Sequence, residues 1–258
     1  PRQVSPAIVR DCVTKNVGAV ALFTSGFAET ESPEGIDLQE IIRGIAIDGG
    51  LTLIGPNCMG IYSPEAGVCQ SGEQTIDGLG DIGFISQSGT HAVNFSIACS
   101  SRGLRLAKSV SMGNGVILEA ADYLEYMGDD PSIHVIALYI EGVRDGARFF
   151  RVLREVASRK PVFIWKGGQT TEGARAASSH TASLASPLAL WRGMAAQCGA
   201  VLVQDMDELV DVVAASHFLS PPERERVGVI AMTGGQSVVV TDALSLAGMT
   251  VPRLSDTS

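Results

Sequence analysis

His180 lies in residues 166–186, a stretch built almost wholly of small residues, Lys-Gly-Gly-Gln-Thr-Thr-Glu-Gly-Ala-Arg-Ala-Ala-Ser-Ser-His-Thr-Ala-Ser-Leu-Ala-Ser. It is the one side chain there able to do nucleophilic or acid–base work near neutral pH. Small neighbours leave the imidazole unobstructed and let the backbone approach a ligand closely. A connection longer than about 15 residues inside a compact domain is usually functional or disordered. The string therefore reads either as a reactive histidine or as a surface histidine in a flexible loop. Glu141 closes the apolar run 133–140 and is followed by Gly142. A carboxylate at that point can hold an imidazole by its second ring nitrogen, fixing the tautomer and making the other nitrogen more nucleophilic. The competing reading is a solvated loop carboxylate.

Three further strings mark strand ends. In Gly83-Phe84-Ile85-Ser86-Gln87-Ser88-Gly89-Thr90 an apolar strand runs into a small, polar turn that starts a helix. Free amides at a helix N-terminus, with the dipole behind them, favour an anion. Ser86, Ser88 and Thr90 can add hydroxyl donors. An ordinary serine-capped turn explains the same residues equally well. Gly55-Pro56-Asn57-Cys58-Met59-Gly60 offers a rigid turn with an amide donor and acceptor on Asn57, or simply a structural turn with a buried cysteine. In Ser111-Met112-Gly113-Asn114-Gly115, Gly on both sides of Asn allows positive φ.

These strings need elements to position them, and short apolar runs alternate with helical patterns along the chain, which predicts a parallel α/β architecture. Ser5-Pro6 and Ser32-Pro33 open helices, with strands over 17–23 and 51–54 between and after them. Residues 70–81 are polar and Gly-rich, a linker. A second unit follows, with strands over 82–85, 107–111, 133–140, 161–165 and 200–203. Helices are expected over 89–101, over 116–127, on the face marked by Phe149, Leu153 and Val156, and over 205–219. Pro221-Pro222 marks a boundary. The strand 227–232 and the helix after Gly234-Gly235 open a third unit resembling the start of the second, which hints at internal duplication.

Composition narrows the function class. The chain is 45% hydrophobic, enough for a large core, and its formal charge of −9 speaks against nonspecific nucleic-acid binding. No uninterrupted apolar run of about 18 residues predicts a membrane span. The N-terminus lacks the pattern of a signal peptide and begins without Met, so the chain reads as part of something longer. Five cysteines, Cys12, Cys58, Cys69, Cys99 and Cys198, show no paired metal-ligand spacing and read as reduced thiols of a cytosolic protein.

Taken in order, Gly55–Gly60, Ser86–Thr90, Ser111–Gly115, Glu141-Gly142 and Ser179-His180-Thr181 resemble ADP-forming acetyl-CoA synthetases, with the succinyl-CoA synthetase α subunit a more distant relative. The resemblance covers nearly the whole chain. It implies an acid–thiol ligase that makes acyl-CoA from a carboxylic acid, CoA and ATP, releasing ADP and phosphate through an acyl phosphate and a phosphohistidine. His180 then resembles the phosphorylated histidine and Glu141 its orienting carboxylate. Ser86, Gln87, Ser88, Gly89 and Thr90 resemble the helix start that holds the phosphoryl group. Pro56, Asn57 and Cys58 sit where a CoA domain meets the active site. The implied fold is a flavodoxin-like parallel sheet domain over 78–220. It is preceded by the end of a Rossmann-like CoA-binding domain over 1–69 and a linker over 70–77, and followed by the start of a second flavodoxin-like domain over 226–258. Two residues depart from the family, Ala182 and Ser186, where glycine is usual; both restrict the loop's backbone. The resemblance further implies an ATP-grasp domain or subunit as partner, with Mg²⁺ accompanying its nucleotide, a cytoplasmic oligomer, and no nucleic acid or membrane. A different class, the synthetase-like ligand-sensing module of a protein acyltransferase, shares the fold. Retention of both His180 and Glu141 speaks against it, since a sensor has no use for a phosphorylatable histidine.

Overall fold

A computed structural model describes residues 1–76, 78–175, 186–220 and 223–253 of the chain. Ser179, His180, Thr181 and Ala182 lie outside the described residues. The chain divides into two units, Pro1–His217 and Phe218–Ser258.

The first unit opens with helix α1 (Ser5–Thr14), strand β1 (Ala19–Ala21), helix α2 (Pro33–Asp48) and strand β2 (Thr52–Ile54), with β1 and β2 paired in parallel. The start at Ser32-Pro33 holds, whereas Ser5, expected as the cap of α1, is its first helical residue and follows Val4 without a side-chain cap. Pro6 stands in the first turn of α1, and the Ser32 hydroxyl caps α2 by accepting from the Gly35 amide at 3.1 Å. Val9, Phe27, Ile42, Ala46 and Leu53 form the core of this part.

A six-stranded sheet carries the rest. Its strands are β3 (Gly60–Tyr62), β4 (Ile82–Ser86), β5 (Leu106–Ser111), β6 (Val135–Ile140), β7 (Val162–Lys166) and β8 (Val201–Val203), in the order β3-β5-β4-β6-β7-β8. Five are parallel and follow the flavodoxin-like order. The antiparallel edge strand β3, three residues between two turn-rich strings, carries too short a pattern to be read from sequence. Helices α3 (Gly89–Ser101), α4 (Ala120–Asp129), α5 (Gly146–Ala157), α6 (Leu188–Cys198) and α7 (Met206–Phe218) complete the layers. One core brings Ile136, Leu138 and Ile140 together with Phe149, Leu153 and Trp191; the other brings Phe84, Ala137 and Tyr139 together with Phe95, Leu209 and Val213. Strand β6 is thus buried throughout, which is why its sequence is one apolar run without alternation. Each large side chain so buried contributes about 1.5–3 kcal/mol.

Two local expectations change. The helix expected from residue 116 begins at Ala120, because Glu119 makes a capping box with Asp122 and Val116 is buried in the N-terminal core instead. The linker folds onto β3: Gln70 and Gln74 are buried, Gln70 Nε2 donates to the Gly60 carbonyl at 3.0 Å, and the two amides bond each other. In the second unit, α8 (Gly234–Leu246) is capped by Thr233 as its glycine-led start suggests. The strand expected over 227–232 does not form. A single bridge, Arg226 to Thr250, gives it no ladder, and Ile230 and Met232 stand fully exposed.

Candidate active site

In a parallel sheet of this order the crevice lies beyond the carboxyl ends of the strands, where the order reverses between β4 and its neighbours. Four of the five strings singled out in the sequence meet at that edge: the Ser86 turn after β4, the Ser111 turn after β5, Glu141 after β6, and the Gly55–Gly60 turn entering β3. The fifth, Ser179-His180-Thr181, lies outside the described residues. Its stretch begins at the end of β7, beside β6.

The Ser86 turn is tied down by its own side chains. Ser86 Oγ, expected as a ligand donor, gives its proton to the Ser88 carbonyl at 2.6 Å and accepts the Ser88 amide at 3.1 Å. Ser88 Oγ caps α3 by accepting from the His91 amide at 3.3 Å, which leaves its own proton free to donate. Gln87 Oε1 accepts from the backbone amides of Glu141 and Gly142, the latter at 3.0 Å, and the Gln87 amide donates to the Tyr139 carbonyl at 3.0 Å. Gln87 therefore fastens the end of β4 to the end of β6. At the mouth, Gly89 and Thr90 are the first two helical residues, whose amides lack intrahelical acceptors, and Thr90 is exposed. The groups of this turn not engaged in holding it together are the first amides of α3 and the hydroxyls of Ser88 and Thr90, while Ser86 and Gln87 are spent on the scaffold.

Glu141 is 6% exposed, so it is no solvated loop carboxylate. Its Oε1 accepts the Tyr139 hydroxyl at 3.0 Å. Its Oε2 is buried and has no hydrogen-bond partner among the described residues. A buried carboxylate oxygen left open is costly unless a donor arrives to fill it. Lys166, 2% exposed, ends the neighbouring strand; its Nζ donates to the Gly167 carbonyl and lies 5.7 Å from the centre of the Trp191 ring. Burial pushes the Lys166 ammonium down from its ordinary range, while the charge of Glu141 pulls it up. His91, in the first turn of α3, packs against the rings of Tyr139 and Trp165.

The Gly55–Gly60 turn reaches the same edge from the N-terminal part. The Met59 amide donates to Ser111 Oγ at 2.9 Å, and the Pro56 carbonyl accepts from the Asn114 amide at 2.9 Å. Asn57 takes positive φ and donates to Asn114 Oδ1 at 3.3 Å, while Asn114 Nδ2 donates to Glu29 at 2.6 Å and Gln39 at 2.8 Å. Cys58 is buried with its thiol against the carbonyls of Leu22 and Ile54, and burial pushes that thiol up to about 11, so it is no thiolate nucleophile. Tyr139, His91 and Trp165 carry no chemical signal of their own in the sequence. Tyr139 was the most legible of them, since it lies two residues before Glu141, the carboxylate that follows the strand.

The model of the succinyl-CoA ligase-like flavodoxin domain matches residues 79–216, and the chain belongs to that family. It is 34% identical over 96% of its length to acetate–CoA ligase (ADP-forming) I of Archaeoglobus fulgidus. It is 33% identical over 99% to the α subunit of acetate–CoA ligase (ADP-forming) II of Pyrococcus furiosus. Among solved structures it matches, with a TM-score of 0.90 and 30% identity over 99% of its length, acetyl-coenzyme A synthetase 1 of Ca. Korarchaeum cryptofilum in complex with phosphate and ADP. The chain spans 36% of the first relative, 55% of the second and 55% of the structure's chain. Among the described residues no helix is long and apolar enough to cross a membrane.

Proposed function

We propose that the protein is an acid–thiol ligase, making acyl-CoA from a carboxylic acid, CoA and ATP with release of ADP and phosphate, and that this chain carries its phosphohistidine, His180. A nitrogen of the imidazole bonds the γ-phosphorus of ATP as the bond to the bridging oxygen breaks and ADP leaves. A carboxylate oxygen of the acid then attacks that phosphorus, and the P–N bond breaks to give an acyl phosphate and free imidazole. The CoA thiolate attacks the acyl carbon, and phosphate departs with the C–O electron pair. Histidine suits the shuttle because it accepts and yields a phosphoryl group at two stations that need different surroundings.

The single observation that carries this reading is the buried Glu141 carboxylate at the end of β6, whose Oε2 has no hydrogen-bond partner among the described residues. In this reading Oε2 takes the N–H of the His180 imidazole, and the amides of Gly89 and Thr90 with the Ser88 hydroxyl take the phosphoryl oxygens. Pro56, Asn57 and Cys58 frame the side from which CoA and the acyl group arrive, as backbone and packing, with no chemistry on the Cys58 sulfur. Residues 1–69 are the end of a CoA-binding domain, 70–77 its connection, 78–220 the flavodoxin-like domain, and 226–258 the start of a second one. An ATP-grasp domain or subunit brings the nucleotide with Mg²⁺. Among the described residues no group of three or more His, Cys, Asp or Glu side chains can hold a metal ion, and no step of the proposal runs through one. Action in the cytoplasm as an oligomer belongs to the same reading.

The test is chemical trapping. Full-length protein, ATP and hydroxylamine, with CoA omitted, are incubated with a panel of short-chain, dicarboxylic and aromatic acids. The expected result is an acyl hydroxamate from at least one acid, with ADP as the nucleotide product. Formation of AMP and pyrophosphate, or no hydroxamate from any acid, would contradict it.

A further inference from the structure

The phosphohistidine reading uses one oxygen of Glu141 and leaves unexplained how a carboxylate with two equivalent oxygens presents the right one. Tyr139 answers the question geometrically. It lies on β6 two residues before Glu141, which directly follows the strand, and its hydroxyl donates to Oε1 at 3.0 Å. That hydroxyl sits at the end of a ring held from two sides. His91 lies 4.4 Å away centre to centre, edge-on, and Trp165 lies 4.5 Å away, also edge-on; His91 and Trp165 are 4.6 Å from each other. Three rings in mutual contact, on α3, β6 and β7, leave the phenol little room to swing. A third wall stands at Gly167, where an added Cβ would come within 2.6 Å of the Tyr139 hydroxyl and 2.9 Å of Glu141 Cγ. On the backbone side, Gln87 Oε1 holds the Glu141 and Gly142 amides.

We propose that Tyr139, clamped by the rings of His91 and Trp165, is a positioning residue that fills Oε1 of Glu141 and so assigns Oε2 to the incoming imidazole. This rests on the reading of His180 as the phosphohistidine and adds to it a selection step that neither Glu141 nor His180 supplies by itself. The donor is permanent: burial first, then the charge of Glu141 and the bond itself, raise the Tyr139 hydroxyl well above its ordinary value of 10.0, so it keeps its proton at any working pH. His91 serves by its ring. Its Nδ1 is buried without a hydrogen-bond partner among the described residues, and burial lowers its affinity for a proton below the ordinary 6.5 against the pull of Glu141. An uncharged, edge-packed imidazole is the state that fits this wall.

The experiment measures the rate of His180 phosphorylation from γ-labelled ATP by rapid quench in the full-length protein. Tyr139→Phe keeps the ring and removes the donor. It should slow phosphorylation roughly tenfold while the KM for ATP and for the acid stay within about twofold, because only the orientation of the carboxylate is lost. His91→Ala, which opens the wall, should slow it as well, and His91→Phe, which rebuilds a ring, should recover most of that loss. Tyr139→Phe phosphorylated at the wild-type rate would overturn the role, and so would His91→Phe no better than His91→Ala. A wild-type protein that takes no label on His180 would instead refute the phosphohistidine reading itself, and this role with it.

Discussion

A carboxylate with one oxygen filled and the other open is a directional group, and Glu141 is such a group: Tyr139 occupies Oε1, and Oε2 is buried without a partner among the described residues. Its charge is what an imidazole accepting a phosphoryl group needs, since positive charge develops on the ring as the P–N bond forms. Glu141→Gln keeps size and an acceptor but removes that charge. Turnover and phosphoenzyme yield should fall about 10²-fold or more, with the KM for the acid little changed. Steady-state kinetics across acid concentrations decide the matter. A variant with normal turnover but much weaker acid binding would make Glu141 an acid-binding residue instead. Ser86 carries a complementary lesson. As a hydroxyl beside a helix start it reads as a ligand group, yet its proton closes the turn onto Ser88. Residue type in a sequence fixes what a group can do; its nearest acceptor decides what it does.

At the scale of elements, the crevice depends on turns that touch across the sheet edge. Gly113 has φ near 56° and lies so close to the carbonyls of Pro56 and Asn57 that an added Cβ would overlap both oxygens. Gly113→Ala should therefore cost about 2 kcal/mol or more, combining left-handed strain with that overlap. In a thermal scan of the full-length protein this is a Tm lower by roughly 4–8 °C. A Tm within about 1 °C of wild type would show that the two turns do not bear on each other as described. Most of these elements were legible in the sequence, because β6 is a single apolar run and because Ser32-Pro33 and Ser88-Gly89 are explicit helix starts. Strand β3 was not: its pairing with β5 is tertiary, and three residues carry no period. The expected strand at 227–232 failed for the converse reason, since an apolar pattern without a ladder partner is not a strand. Of the site, the charged and glycine-rich members could be read, but the ring wall of His91, Tyr139 and Trp165 could not. Its members come from three separate elements, and aromatic side chains in apolar runs look like ordinary core.

At the scale of the whole molecule, the sheet does one thing for the proposed chemistry: it brings an open carboxylate, a helix start with free amides, and the origin of the long small-residue stretch to a single edge. A phosphoryl shuttle requires that arrangement, because the histidine must reach a charge-stabilising station on this domain and a nucleotide held elsewhere. His180 is the residue proposed to carry the group, and the measurement that decides it is where the phosphorus goes. Full-length wild-type protein and His180→Ala are incubated with γ-labelled ATP, quenched in alkali, digested, and the labelled peptide is sequenced by mass spectrometry. The expected result is an acid-labile, base-stable label on His180 in the wild type, lost on addition of acid substrate and CoA, and absent from His180→Ala. Label retained at the wild-type level in His180→Ala, or found on another residue, would contradict it.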